Sequence, residues 1–401
     1  MAKKTVEKKV IAKENWVSNF NLVGQAKVND FTFKIDEKSN NSSYMYSSMN
    51  LGVDCGEKYG VVYTNMIGGY DSEATDDKPN MLYVHGKKDD GSDDFENQFR
   101  VAWEDRFDDD ILETIGDMSF ITVGLEKTDK GKTFVKKFLS TYDAISYIQS
   151  VIEEGMVINV RGQLKYSLYQ DRTQIQKNIT SIFLSNIDDS SKYKAVFTQS
   201  VLINKDSASL KNIDKDKGVI FIDAIVLDYL KEYNGIEVKG NYPFHVDFEF
   251  PMDFKDEQKC KKIMDKLLKP KKGVTQINFD GKFIEGGATV TATLDDIPED
   301  IKTLIELGVY SEEEALAKCS TNGNREQRMM LLNPHIRIVG DDAIPVMQIF
   351  HEQYKDDDLV LDYLADAVQP VPDDFMNEPE DGESDDDNSS VDNDMSWLEN
   401  L

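Results

Sequence analysis

The chain has 401 residues, 40% hydrophobic and 10% aromatic, enough for two or three domains that each bury a full core. Its net charge is −29 at pH 7, and residues 1–355 still carry −12 once the 17 acids of residues 356–401 are set aside, which argues against a uniformly basic nucleic-acid-binding surface. Cys55, Cys260 and Cys319 show neither disulfide nor zinc spacing, and the longest apolar run, 219–227, is broken by Asp223 and far short of the ~20 residues of a membrane span.

Residues 1–15 form a basic arm with Lys3, Lys4, Lys8, Lys9 and Lys13. No apolar run follows these lysines, so no signal peptide is expected and the chain reads as a soluble cytoplasmic protein. Residues 16–190 read as a first unit of short strands separated by Gly, Asn and Asp clusters. Strands are expected at 16–30, 31–36, 44–54 and 59–70, then a polar insertion over 71–140 holding strand-like stretches at 81–86, 99–106, 119–126 and 133–139. A helix is expected over 142–154, with Ala144, Ile145, Ile148, Val151 and Ile152 as its apolar stripe and Gly155 as its stop. Strands at 156–169 and 173–184 follow, turning at Gln170, Asp171 and Arg172. Three strands, a helix and a two-strand hairpin are the order of an OB fold, a five-stranded Greek-key barrel widely used for single-stranded nucleic acid.

A second unit, 191–355, repeats this order with helical additions. Strands are expected at 195–203, 218–229, 244–250, 274–284 and 335–339, with helices at 253–268, 299–307 and 311–319. No repeat of fixed period is visible. The fold class is therefore mainly β with a few helices: two OB-like five-stranded barrels followed by an acidic tail over 356–401. The tail has no Lys or Arg and few packable residues, so it is expected to be disordered. It finishes on Met395, Trp397, Leu398 and Leu401, an apolar tip that suits partner binding better than solubilisation alone.

The most specific run is Val160-Arg161-Gly162-Gln163-Leu164-Lys165-Tyr166-Ser167-Leu168-Tyr169. Alternation puts Ile158, Val160, Leu164 and Leu168 on one face and Asn159, Arg161, Gln163, Lys165 and Tyr169 on the other. Cations, an amide and an aromatic in one outward row suit sequence-tolerant single-strand binding, because bases stack on rings while cations follow phosphates. A solvated strand face with a packed Tyr is the plain alternative. Tyr44, Tyr46, Tyr59 and Tyr63 are further stacking candidates on two consecutive strands, although tyrosines also pack in sheet cores. Trp103, between Arg100 and Arg106, is another, although an indole in a strand-like segment more often packs in the core. Arg161, Lys165, Arg172 and Lys177 form the candidate basic groove. The eight lysines of 255–272 can contact phosphates or simply coat a helix.

No catalytic constellation emerges. Gly131-Lys132-Thr133 lacks the upstream Gly of a P-loop, Asp214 to Gly218 lacks the spacing of a calcium loop, and the four histidines are scattered.

With the preceding helix, Gly162, Gln163, Leu164, Lys165 and Tyr169 resemble the fourth strand of bacterial-type single-stranded DNA-binding proteins, a similarity that extends over 142–184 and to the acidic tail. Ser167 and Leu168 replace basic positions of that pattern. The resemblance implies a bacteriophage-type protein that coats single-stranded DNA during replication or recombination, without a cofactor, in the host cytoplasm. It also implies that Trp397, Leu398 and Leu401 recruit replication and recombination proteins. Two other classes stay open: an OB-fold structural or adaptor protein, and an acidic DNA mimic.

Overall fold

Residues 11–40, 42–170, 172–270, 272–286, 326–340, 343–361 and 364 are described by the computed structural model, and strands dominate them. The chain opens with β1 (Ser18–Lys27), β2 (Phe33–Lys38), β3 (Tyr44–Asp54) and β4 (Val61–Asp71). The insertion supplies β5 (Met81–Lys87), β6 (Asp93–Ala102), the single turn α1 (Asp109–Leu112), β7 (Ile121–Lys127) and β8 (Thr133–Phe138). Then come α2 (Thr141–Val151), β9 (Val157–Tyr169) and β10 (Arg172–Leu184).

Helix α2 forms on the expected apolar stripe but ends at Val151, where Ile152 is already extended, so Gly155 is not its stop. The Ser140 hydroxyl accepts from the Tyr142 N–H at its start, and Ala144, Ile145 and Ile148 are buried beneath it. Strand pairing closes a circuit: β1 pairs with β3, β3 with β4, β4 with β10 in parallel at Asn65 and Asn178, β10 with β9, and β9 back onto β1. In chain order this is first–second–third–fifth–fourth–first, with α2 between third and fourth. That is the strand order of an OB fold.

The second half contains β11 (Lys194–Ile203), β12 (Ala208–Asp214), β13 (Val219–Tyr233), β14 (Ile236–Pro251), α3 (Glu257–Ile263) and β15 (Val274–Gly286). It continues with β16 (Glu326–Pro334), β17 (Ile336–Val339), β18 (Ile344–Met347) and β19 (Ile349–Tyr354). Here β11 pairs with β13, β13 with β14, β14 with β16 in parallel, β16 with β15, and β15 with β11. The order matches the first circuit, and α3 again lies between third and fourth strands.

Several elements differ from their expected form. Strand β14 starts eight residues before the expected 244, because Asn234 and Gly235 take positive φ (46° and 79°) and make a tight two-residue turn out of β13. Strands β12, β16, β18 and β19 were not expected; β12, β18 and β19 are short, with 7, 4 and 6 residues. The helix expected over 253–268 is α3 followed by a π turn, Met264–Leu268, ahead of Pro270. The helices expected at 299–307 and 311–319, the arm before residue 11 and the tail beyond 364 lie outside the described residues. Residues 11–15 of the expected arm lie on the second circuit. Ile11 is buried among Leu202, Leu227, Val274 and Tyr354, and Lys13 reaches Asp228 at 2.9 Å.

The two circuits share a seam. Strand β1 pairs with β9 on one side and with β11 on the other, in register from Ser18–Gln199 to Val23–Lys194. Phe20 lies opposite Gly162, and Phe197 lies opposite Gly281. A Cβ at either glycine would come within 2.7 Å and 2.2 Å of the facing ring, so each strand approaches its Phe as only Gly permits. These glycines end the matching runs Ile158-Asn159-Val160-Arg161-Gly162 and Ile277-Asn278-Phe279-Asp280-Gly281. The corresponding strands of the two circuits thus carry a short sequence echo.

At the same junction Lys177 is buried. Its Nζ contacts Glu285 Oε1 at 2.5 Å and lies 5.1 Å from the Phe283 ring centroid. Lys177 shares parity with Ile175 and Ile179 and pairs across β9 with Leu164, which turns it inward. Removing one partner of a buried pair strands the other charge. Lys177→Ala should lower unfolding free energy by about 3–5 kcal/mol, read as a lower urea midpoint. Lys177→Met combined with Glu285→Leu should recover most of that loss. An unchanged midpoint in the single variant would contradict the pairing.

Candidate nucleic-acid interface

Strand β9 places its side chains as alternation dictates. Ile158, Val160, Gly162, Leu164 and Tyr166 are buried, while Arg161 and Gln163 are exposed and Asn159, Lys165, Ser167 and Tyr169 are half-exposed on the other face. From Arg161 to Tyr169 the outward row runs about 26 Å at the rise of an extended strand. At its end Tyr169 pairs with Arg172 across the turn, and its hydroxyl accepts from Gln170 Nε2 at 3.3 Å. Of the expected groove cations, Arg161, Lys165 and Arg172 share this β9–β10 face.

The face widens across neighbouring strands. Cross-strand partners share a side, so Asn178, Gln163, Asn19, Thr198 and Asp280 form one row over β10, β9, β1, β11 and β15. Beside it Arg161, Asn21, Val196 and Lys282 form a second. Arg161, Gln163, Asn19, Asn21, Thr180 and Thr198 line an open groove of 580 Å³ along these rows. The Arg161 guanidinium is braced by donating from Nε to Asn159 Oδ1 at 3.1 Å, and Asn159 donates to Asn21 Oδ1 at 3.2 Å. Lys282 is held below the usual lysine range, first by partial burial and then by the nearby cations Lys58 and Arg328. An arriving anion would relieve that penalty.

Lys165 is tempered by its surroundings. Its Nζ lies 3.8 Å from Asp228, a buried carboxylate that also takes Lys13 at 2.9 Å and the Tyr166 N–H at 2.9 Å. Tyr166 itself is buried, with its hydroxyl donating to Gln199 at 3.0 Å, and burial followed by Asp228 drives its pKa well up. Thus the inward side of β9 is anchored to the second circuit while the outward side stays open.

The remaining expected residues go elsewhere. Lys177 is inside the junction and unavailable to a ligand. Tyr59 is buried, with Lys58 Nζ 5.0 Å from its ring centroid. Trp103, 8% exposed, is sandwiched by Arg106 at 4.1 Å and Tyr70 at 5.1 Å, and Arg106 is tied to Asp143 of α2 at 2.7 Å. It clamps the insertion to the helix. Tyr44 and Tyr46 on β3 and Tyr63 on β4 are half-buried. Burial raises the pKa of both Tyr44 and Tyr46, with Glu37 adding to the second. Between them and the β9 face lie the paired amides Asn50, Asn65 and Asn178.

Sequence reasoning missed Asn19, Asn21, Thr180, Thr198 and Lys282 in the groove rows. Alternation in Ser18-Asn19-Phe20-Asn21-Leu22 carries the β1 signal, but register across strands does not show in one sequence. It also missed Phe31, 83% exposed in the connection from β1 to β3, a loop that OB folds use for ligands. Among the described residues no group of three or more His, Cys, Asp or Glu could hold a metal ion, and no helix is long and apolar enough to cross a membrane.

Residues 121–283, less than half of the chain, match the model of the YorF family. No curated protein matches the chain in sequence. Among solved structures, the wild-type single-stranded DNA binding protein from Thermus aquaticus is similar at 8% identity and a TM-score of 0.29, covering 68% of this chain and 87% of that one. A deletion mutant of the same Thermus aquaticus protein gives 7% identity and a TM-score of 0.29, covering 67% and 87%.

Because Trp103 clamps rather than faces solvent, Trp103→Ala should cost about 3–5 kcal/mol of stability in denaturant titration. Affinity for any oligonucleotide should stay within twofold under conditions where the variant is folded. A stable variant that loses oligonucleotide affinity would return Trp103 to the interface.

Proposed function

We propose that this chain binds single-stranded DNA on the outward face of β9, with Arg161, Gln163, Lys165 and Tyr169 as its central contacts and Arg172 at the hairpin tip. The observation that carries this reading is the joining of that row to an amide-lined groove on a circuit with OB strand order. Amides and hydroxyls from β1 and β11 can hydrogen-bond bases or sugars. Arg161, Arg172 and Lys282 can follow phosphates, and Tyr169 supplies a ring for stacking.

The two pairing circuits are read here as two OB barrels, one within 16–190 carrying the insertion 71–140 and one within 191–355. The first barrel is proposed to dominate binding. On β14 the outward row is a poor phosphate surface: Asp247 is exposed and His245 faces Asp223 of β13 at 3.0 Å, while Glu249 is buried against Arg328 at 2.6 Å. In this reading the protein coats single strands during bacteriophage DNA replication or recombination, and Trp397, Leu398 and Leu401 recruit partner proteins. No chemical step is assigned to any residue.

Anisotropy of a labelled oligo-dT at two salt concentrations tests the assignment in the full chain. Tyr169→Ala should weaken binding by about 1–3 kcal/mol. Arg161→Ala should flatten the logarithmic salt slope by about 0.7, and Lys165→Ala should flatten it less, because Asp228 already neutralises part of that charge. Wild-type affinities unaltered by all three substitutions would sink the assignment. Absence of any binding would favour the adaptor role.

A further inference from the structure

A second cavity lies on the far side of the second circuit. Leu267, Pro270, Ile277 and Ile349 form the apolar part of a 360 Å³ pocket between the π turn after α3 and strands β15 and β19. Lys266, Lys269 and Lys272 stand around it, and none has an ion-pair partner among the described residues. Asp265 and Glu352 also line it, so charge alone gives only weak attraction and the apolar floor must supply the hold. Within the pocket His351 Nδ1 and the Thr275 hydroxyl lie 3.3 Å apart. Ile277 has the opposite parity to Asp280 and Lys282, which separates this pocket from the groove rows on β15.

An apolar slot whose rim carries three lysines against two acids fits an acidic segment that carries a large apolar side chain. The chain itself contains one. Residues 392–401 read Asp-Asn-Asp-Met-Ser-Trp-Leu-Glu-Asn-Leu, closing a stretch with 17 acids and no cation. The chain passes the pocket just before the last described residues: Asp356 shares a small adjoining cavity with Pro270 and Lys272, two residues of the pocket wall. From Leu364 to Trp397 is 33 residues. A chain of that length reaches up to about 110 Å when extended, ample to return to a pocket beside Asp356. Tethering replaces the cost of bimolecular encounter by a high effective concentration, so a modest site is enough.

We propose that this pocket receives the chain's own C-terminal tip, with Trp397 seated against Leu267 and Ile349 and the neighbouring acids facing Lys266, Lys269 and Lys272. Docked there, the tip is withheld from other proteins until a tighter pocket competes for it. The inference does not depend on DNA binding, and its readout contains no nucleic acid.

The test uses the full chain carrying 5-fluorotryptophan, followed by fluorine NMR. The chain has three Trp, and the signal lost in Trp397→Phe identifies the tip. The Trp397 resonance should be displaced from that of a synthetic fluorinated peptide of residues 385–401, independently of protein concentration. Ile349→Glu should return it to the peptide position. So should Lys266→Glu combined with Lys272→Glu, two exposed positions whose reversal leaves the core untouched. Arg161→Glu should leave it displaced. A wild-type resonance matching the free peptide would overturn the proposal. So would a displacement that survives the lysine reversals, vanishes with Arg161→Glu, or appears only at high concentration.

Discussion

The antiparallel pairing of β1 with β11 is the constraint on which the rest of the structure depends. Each is the first strand of its own circuit, and each is flanked on both sides along most of its length. An edge that would otherwise expose unpaired backbone groups is consumed. Because pairing fixes register, the outward residues Asn19 and Asn21 are brought level with Gln163 and Arg161 on one side and with Thr198 and Val196 on the other. The groove follows from that register. Phe20 and Phe197 fill the inward side, and Gly162 and Gly281 let the strands approach them.

Charge is sorted in the same way. An acidic chain can present a cationic face only if its carboxylates are dealt with locally. Here Asp228, Glu249 and Glu285 are buried and matched to Lys13, Arg328 and Lys177. Such pairs add little net stability over apolar residues of the same shape, but stranding either partner is costly, so they fix how the elements meet. Asp228 does more than this, since it holds the β9 backbone at Tyr166 while drawing Lys165 partly inward. The strand carrying the proposed contacts is thus positioned from behind by the second circuit, which gives that circuit a role even if its own outer strands contact no DNA.

Much of the fold was legible from alternation. Strand β3 and helix α2 follow from their apolar periods, and so does the division of β9 into inward Ile158, Val160 and Leu164 and outward Arg161, Gln163 and Lys165. Lys177 could have been read correctly too, since Ile175 and Ile179 flank it at strand spacing; its charge outweighed its parity. The Asn234-Gly235 turn was likewise visible and marks the start of β14. What could not be read was register. Nothing in one sequence says that β1 lies between β9 and β11, so Asn19, Asn21 and Thr198 carried no signal. The echo between Ile158–Gly162 and Ile277–Gly281 is too short to notice until the pairing makes the two glycines equivalent. Trp103 was ambiguous for another reason: an indole in a strand-like segment between two arginines suits base stacking or a core position, and only tertiary contacts place it against Arg106 and Tyr70.

The central claim, that the outward face of β9 meets single-stranded DNA, is tested most directly by photo-crosslinking. A bromodeoxyuridine oligonucleotide would be irradiated with the full chain, and adducts mapped by mass spectrometry. The account predicts adducts concentrated in peptides containing Tyr169 and the flanking residues of β9 and β10, lost when unlabelled oligo-dT is added in excess. Adducts confined to β13 and β14, with none on β9 or β10, would contradict it.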